Sequence, residues 1–262
     1  MKRMVNQIKN ALKKDKKSTQ KERANFGLLV LGLLLVAAPS AASAMHIMEG
    51  YLPKGWAFFW FAVFIPFFVL GLRKLNGLMT KGKDIKLLLG LVAAFTFCLS
   101  ALKIPSVVGS CSHPTGVGLG TILFGPLPMV VVGTVVLLLQ ALLLAHGGLT
   151  TLGANGFSMA VAGPFATYGI YKLLTTLKVN KKWAIFFGAF LGDLVTYGVT
   201  SIQLGLAFPE TGGFVISIIK YLGIFMFTQL PIAIGEGILT VLVYNWIVEN
   251  KDQLQIDKEM ML

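Results

Sequence analysis

The residues best suited to chemistry lie together near the start of the chain. Ala42-Ser43-Ala44 has the small-residue pattern of a signal-peptidase site, and Met45 and His46 follow it directly. Cleavage after Ala44 would produce a mature protein that begins with a free amine one residue before a histidine. This spacing predicts a chelating N-terminus.

The chelate would place three nitrogens in one plane. The amine of Met45, the backbone nitrogen of His46 and its imidazole can close two fused rings around a cation that displaces the backbone proton. Nickel, cobalt and copper do this far better than calcium or magnesium, which prefer oxygen. The amine has a pKa of about 7.7–8.0, so it is partly deprotonated at neutral pH. The alternative is an exposed histidine near a processed terminus.

A second histidine could supply a fourth nitrogen. His113 lies in the segment SCSHPTG at residues 110–116. Pro114 suits the first position of a helix and holds the preceding residue extended, so His113 projects from a fixed point. The alternative is a histidine that caps the loop or bonds a carbonyl.

Two further residues are candidates for supporting roles behind the ligands. His146 precedes Gly147 and Gly148, which indicate a helix C-terminus, and bonding to terminal carbonyls is favoured there over direct ligation. An intermediate possibility is that His146 does not bind the metal itself but orients His113 or the terminal loop. Glu49 could hydrogen-bond to a ligand histidine, and its alternative is an exposed carboxylate in a loop.

Two carboxylates, Asp193 and Glu236, lie deep in apolar runs, where an ionisable group is a functional candidate. Either could form an internal pair, with Lys220 as one candidate partner, or serve metal passage. Gly188 and Gly192 form a small-xxx-small pair that suits close helix packing, within the bundle or against a second protein.

The composition is that of a membrane protein. Of 262 residues, 55% are hydrophobic and 13% are charged, against about 25% charged in soluble domains. The net charge of +12 does not indicate nucleic-acid binding, since nine of the 23 basic residues precede Phe26 and most others lie in short loops. The charge therefore indicates topology.

The chain divides into a leader and a membrane domain. Residues 1–24 are strongly basic, residues 25–38 form an apolar core too short for a comfortable span, and Pro39 and the cleavage pattern follow. We predict a signal peptide over residues 1–44 and one membrane domain over residues 45–262. With an uncleaved signal anchor, which is the alternative, Met45 has no free amine.

The apolar runs predict an all-α polytopic membrane protein with about seven transmembrane helices in the mature chain. Residues 115–124 are too few to span and predict a half-helix. The last run contains Pro231 and is one kinked helix or two short ones, with a single crossing favoured. The longer runs cover residues 55–73, 85–103, 126–146, 157–176, 183–207 and 214–247.

The basic residues predict the orientation. With the mature N-terminus outside, the expected outer loops at 104–114 and 147–156 contain no Lys or Arg, and the loop at 208–213 contains only Glu210. The C-terminus is then cytoplasmic, and all three histidines lie at or near the outer surface. The cations expected on the cytoplasmic side are Arg73, Lys74, Lys81, Lys83, Lys86, Lys172, Lys178, Lys181 and Lys182.

Missing motifs narrow the function. The chain has neither a GxxxxGK(S/T) loop for ATP nor an HExxH metalloprotease motif, and no inverted repeat is evident. A metal-capture subunit that draws its energy from another protein is indicated. The alternative from another class is a membrane enzyme with a Lewis-acid metal, which needs an open coordination position and a nearby base. Glu49 is the only carboxylate near the terminal site.

Three segments resemble one known family. MHIMEGYLP at 45–53, SCSHPTGVGLGTILFGP at 110–126 and LLLAHGGLTTLGANGFSMA at 142–160 are similar to the CbiM/NikM family of substrate-specific components of energy-coupling factor (ECF) transporters. The likeness covers residues 45–262. The resemblance implies that Met45, His46 and His113 ligate the metal.

The resemblance also implies a role and partners. It implies a seven-helix component of the plasma membrane that is not itself an enzyme and has no organic cofactor. Two CbiO-like ATPases, a CbiQ-like transmembrane coupling subunit and the small membrane protein CbiN would work with it to import Co2+ for cobalamin synthesis. A planar nitrogen site suits Ni2+ at least as well, so the expectation of cobalt depends on the IMEG residues after Met45-His46.

Overall fold

Long apolar helices dominate the part of the chain that the computed structural model describes, which is residues 43–44, 46–105 and 110–250. Five of these helices are long and apolar enough to cross a membrane, and they begin at Lys54, Lys83, Pro126, Lys181 and Phe214. The helices are α1 Lys54–Met79, α2 Lys83–Ala101, α3 Val117–Phe124, α4 Pro126–Leu144, α5 Leu152–Asn155, α6 Gly163–Thr176, α7 Lys181–Ala207 and α8 Phe214–Glu249.

The predicted fold class is confirmed as a helical, multi-pass membrane type, but the count of seven transmembrane helices is not. The expected half-helix is α3, with eight residues. The run predicted at 157–176 is divided between a π-helical segment Gly156–Ala162 and α6, and α5 directly precedes the π-helical segment. The last run forms one helix through Pro231, as predicted.

A sheet of three short strands, which the sequence did not predict, joins two loops at one end of the helices. The strands are β1 Ser43–Ala44, β2 Ile104–Pro105 and β3 Ser110–Ser112, in the order β1-β3-β2. Strand β1 is parallel to β3, and Ala44 pairs with Cys111. His46 and His113 each follow this pair by two residues. The signal-peptide prediction otherwise falls outside the described residues.

Helix α3 lies at the centre of the bundle, and all eight of its residues are buried. Its uncharged sequence, VGLGTILF, packs in the main hydrophobic cluster with residues of α2, α4, α7 and α8. Gly125, at φ +85°, and Pro126 at the start of α4 then turn the chain directly from α3 into α4. The segment that carries His113 is thus continuous with the most buried helix.

The small-residue pair of α7 packs within this bundle. A side chain at Gly188 would meet the carbonyl of Thr167, and one at Gly192 would collide with the Thr167 hydroxyl. The pair therefore brings α7 close to α6.

Lys220 is not the partner of either buried carboxylate. It forms an exposed ion pair with Glu210. That suggested partnership was wrong, because Lys220 lies near the start of α8, where its ammonium reaches the loop before the helix and stays in contact with solvent.

Candidate metal centre

Three histidines from distant parts of the chain meet at one buried point. The ring centroids lie 4.7 Å apart for His46 and His113, 4.6 Å for His46 and His146, and 5.0 Å for His113 and His146. Their side chains are at most 1% exposed. One ligand nitrogen from each ring lies within 4.8 Å of the other two.

This spacing and this set of donors fit a transition-metal ion. A metal–nitrogen distance of about 2.0–2.1 Å puts two ligand nitrogens at most about 4.2 Å apart, so the cluster needs only a small contraction. Among the described residues, the cluster contains imidazoles and no carboxylate. Such a donor set suits late first-row ions and disfavours Ca2+ and Mg2+.

Gln140 orients the ring of His46. The Gln140 amide donates to the Ser100 hydroxyl at 2.8 Å, and Ser100 donates in turn to the Thr96 carbonyl at 2.6 Å. This order leaves Gln140 Oε1, 3.2 Å from His46 Nε2, as an acceptor. His46 Nε2 therefore carries the proton, and Nδ1 is the unprotonated nitrogen.

The backbone that follows His46 is held by Thr151 and Asn155, which lie just before α5 and at its end. Asn155 accepts from Ile47 N–H at 2.9 Å and donates to the Ile47 carbonyl at 3.0 Å, and Thr151 donates to the same carbonyl at 2.6 Å. The Ile47 side chain is buried. His46 is therefore placed by hydrogen bonds from residues more than 100 positions later in the chain.

Glu49 lies at the surface of this segment. Its carboxylate accepts from Thr150 N–H at 3.1 Å, and Gly50 N–H donates to the Thr150 hydroxyl at 3.0 Å. Hydrogen bonds from Thr150 hold the pKa of Glu49 below its usual value. A side chain at Gly148 would collide with Glu49. Glu49 thus joins two loops, and no bond from it to a histidine is found among the described residues.

His113 has a defined tautomer. Its Nδ1 donates to the Pro114 carbonyl at 2.8 Å, while Nε2 is buried and has no partner in the described part of the chain. A ligand histidine usually donates its other ring N–H in this way, which fixes the ring and leaves one nitrogen for the metal. His113 Nε2 is therefore the nitrogen of this ring that is available to bind a metal.

His146 lies two residues after the end of α4. Its backbone N–H donates to the Gln140 carbonyl at 3.1 Å, with Ala145 in the left-handed region at φ +47°. Neither ring nitrogen of His146 has a hydrogen-bond partner in the described residues, so the favoured interpretation, bonding to terminal carbonyls, was wrong for the ring. Lys103 instead donates to the Leu144 carbonyl at 3.3 Å.

Burial keeps the three imidazoles neutral. Loss of solvation lowers the pKa of His113 to about 4, and it lowers the pKa of His46 and of His146 well below the usual value. The Lys103 ammonium adds to the effect at each ring. At neutral pH an incoming ion therefore meets three rings that are not protonated to imidazolium.

These pKa values predict that acid destabilises the metal-free protein. In the unfolded chain an imidazole takes up a proton below about pH 6.5, whereas His113 in the folded protein does so only near pH 4. Between these values the unfolded state binds more protons, so the free energy of unfolding falls as the pH falls. The melting temperature should therefore decrease as the pH is lowered through this window, and the decrease should be less steep in His146→Leu. Equal slopes for the two proteins would contradict the prediction.

Gln140 is expected to set metal affinity through the ring of His46. Gln140→Met keeps the side-chain length and the backbone carbonyl that holds His146, but it removes the acceptor for His46 Nε2. We expect metal affinity, measured by competition with a chelator, to fall about 10–100-fold. Ser100→Ala, which removes only the support of Gln140, should have a smaller effect. Unchanged affinity in Gln140→Met would contradict the assigned tautomer.

The sequence-predicted site residues have separate outcomes. His46, His113 and His146 meet in one cluster, Glu49 lies outside it, and Met45 falls outside the described residues. Sequence reasoning assigned no role to the polar residues that hold the cluster. The sequence does contain a feature that could have identified them. Each of these polar residues lies in or next to an apolar run, where a buried polar side chain needs a hydrogen-bond partner. They are Gln140, Asn155, Tyr197 and Gln229.

The chain is similar to proteins of cobalt transport over most of its length. Residues 46–254 match the family model CbiM, described as the cobalt uptake substrate-specific transmembrane region. A cobalt transport protein CbiM of Nostoc sp. is 60% identical over 225 residues, which are 84% of this chain and 86% of the relative. Another from Listeria seeligeri is 60% identical over 226 residues, 86% of this chain and 93% of the relative.

A solved structure has the same fold. A truncated transition metal transporter superposes with a TM-score of 0.69 at 29% identity, covering 78% of this chain and 99% of the other. With a family model that matches most of the chain and relatives at 60% identity, the chain belongs to the CbiM family.

Proposed function

We propose that this protein is the substrate-capture subunit of an ECF-type importer and binds Co2+ at the outer face of the plasma membrane. The observation that carries the proposal is the cluster of three neutral, buried imidazoles whose ligand nitrogens lie within 4.8 Å of one another. The relatives are named as cobalt transport proteins. We propose cobalamin synthesis as the use of the imported cobalt, on the resemblance to the CbiM/NikM family.

The proposed ligand set has four nitrogens in a plane. They are the amine of Met45, the backbone nitrogen and Nδ1 of His46, and Nε2 of His113. The tautomers support this set, because Gln140 leaves His46 Nδ1 unprotonated and the Pro114 carbonyl leaves His113 Nε2 unprotonated. The ring of His146 lies 4.6 Å from that of His46 and 5.0 Å from that of His113, and we propose it as a further ligand.

Energy would come from other chains. The sequence has no P-loop, so we assign ATP hydrolysis to CbiO-like partners, with a CbiQ-like coupling subunit and CbiN in the same membrane assembly. We propose seven crossings, in which the segment through α3 and the helix over residues 152–176 complete the five long spans. An odd number of crossings puts the two termini on opposite sides of the membrane, and the Lys and Arg distribution supports an outer mature N-terminus and a cytoplasmic C-terminus.

Nickel is a second candidate substrate. All the proposed donors are nitrogens, and such a site generally binds Ni2+ more tightly than Co2+. A catalytic role is less well supported, since the described cluster contains no carboxylate that could act as a base.

Two measurements test the proposal. Purified mature protein should retain about one metal ion and show no turnover without partner chains. Cells that carry the complete transport system should accumulate Co2+ in preference to Ni2+. A metal-free wild-type protein after loading and desalting would contradict capture, and preferential uptake of Ni2+ would replace cobalt with nickel.

A further inference from the structure

Side chains from α2 and α8 hold the segment around His113. We call residues 112–116 the His113 strap. The Ser112 hydroxyl lies 2.7 Å from that of Thr228 on α8, and the Gly116 carbonyl accepts from Thr96 on α2 at 3.0 Å. The strap thus crosses the buried interior as an extended segment whose polar groups depend on other elements.

Glu236 makes the largest set of these contacts. Its Oε2 accepts from Thr115 N–H at 2.6 Å, and its Oε1 accepts from the Thr115 hydroxyl at 2.9 Å and from Gly116 N–H at 3.0 Å. Glu236 is 1% exposed. One carboxylate therefore fixes two consecutive residues, the first of which lies two positions after the ligand histidine.

A second route joins the same carboxylate to His113 itself. Glu236 and Asp193 contact each other, and Asp193 accepts a hydrogen bond from the Gln229 amide. Gln229 also donates to the His113 carbonyl at 3.2 Å. The strap is thus held on both sides of Pro114, before it by Gln229, which bonds Asp193, and after it by Glu236 directly.

The strap has little freedom to move in other directions. Gly116 has φ +69°, and a side chain there would lie 2.9 Å from the Cα of Thr96. Helix α3 begins at the next residue, and its N-terminus favours a negative charge. Within a membrane bundle no solvent is present to replace a lost backbone hydrogen bond.

We propose that Glu236 is a positioning residue for the metal, one that sets where His113 Nε2 lies by holding Thr115 and Gly116. This inference rests on the proposed metal capture and adds to it a residue that does not touch the metal. It also gives the intramembrane carboxylate a role in place of an ion pair with Lys220.

Glu236→Gln tests the proposal directly. Glutamine offers an acceptor oxygen on one side only, and its NH2 group would face a strap donor on the other, so at least one hydrogen bond to the strap is lost. We expect Co2+ affinity to fall about 10–100-fold. The visible absorption of bound Co2+, which reports the ligand geometry, should also shift.

Two further variants make the result decisive. Thr240→Val changes a buried polar residue one turn along α8 that makes none of these strap contacts, and it should leave both affinity and spectrum unchanged. Thr115→Val removes only the hydroxyl bond to Glu236 and should weaken binding less than Glu236→Gln. It decides the question if Glu236→Gln does not fold.

The outcomes separate this inference from the proposed function. Wild-type affinity and spectrum in folded Glu236→Gln, even with a lowered melting temperature, would overturn the positioning role and leave metal capture intact. The same result in Thr115→Val would overturn it if Glu236→Gln does not fold. A wild-type protein that retains no Co2+ would overturn both proposals.

Discussion

His46→Ala and His113→Ala should each abolish retention of Co2+ by the purified mature protein. Each removes a nitrogen of the proposed plane, and the His46 change also removes one chelate ring. Because changes behind the ligands commonly cost about 10–100-fold, loss of a ligand should exceed about 100-fold. Metal content after desalting, measured by mass spectrometry, checks the result.

His146→Ala is the matched comparison. It removes a ring from the same cluster but leaves all four proposed nitrogens, so binding should weaken without being lost. Melting temperatures of the metal-free variants would show that each one folds. Equal retention of Co2+ by all three variants would refute the ligand assignment.

A chain whose signal peptide is not removed should also fail to hold Co2+. Ala44→Phe puts a bulky residue where signal peptidase needs a small one, so the nitrogen of Met45 stays in a peptide bond. We expect affinity to fall by more than about 100-fold, because that nitrogen can no longer act as an amine ligand. N-terminal sequencing and metal analysis of the same sample test both steps.

Ser43→Leu is the control for this experiment. Ser43 occupies the middle position of the Ala-x-Ala pattern, which tolerates other residues, so cleavage and binding should persist. Acetylation of the amine in correctly cleaved protein should reproduce the loss seen with Ala44→Phe. A protein that begins at Met1 and binds Co2+ like the wild type would rule out the amine as a ligand.

The helical architecture was largely readable from hydropathy. The runs at 55–73 and 85–103 correspond to α1 and α2, and the short segment before Gly125 is α3. Whether a segment is long and apolar enough to form a transmembrane helix depends on that segment alone, so local sequence predicts it. The three short strands were missed because two- and three-residue strands have no periodicity to detect.

The candidate site was partly readable. Histidine spacing predicted His46 and His113 as ligands, since a histidine next to a free amine or before proline has an intrinsic geometry, and the two rings do meet in the cluster. The role of His146 was judged from its glycine neighbours alone, which describe the helix end correctly but not the position of the ring. Glu236 was recognised as unusual, yet its partners lie 120 and 121 residues away in sequence.

Residue types and local order were thus enough to identify a membrane protein and to predict nitrogen ligands for a late transition metal. Local sequence does not predict which of these side chains come together in the folded protein. His46, His113 and His146 come together because Asn155 and Thr151 hold the first, residues of α7 and α8 hold the second, and the end of α4 holds the third. Such long-range hydrogen bonds form only after the helices have packed, since only the folded interior excludes the water that would otherwise compete for them.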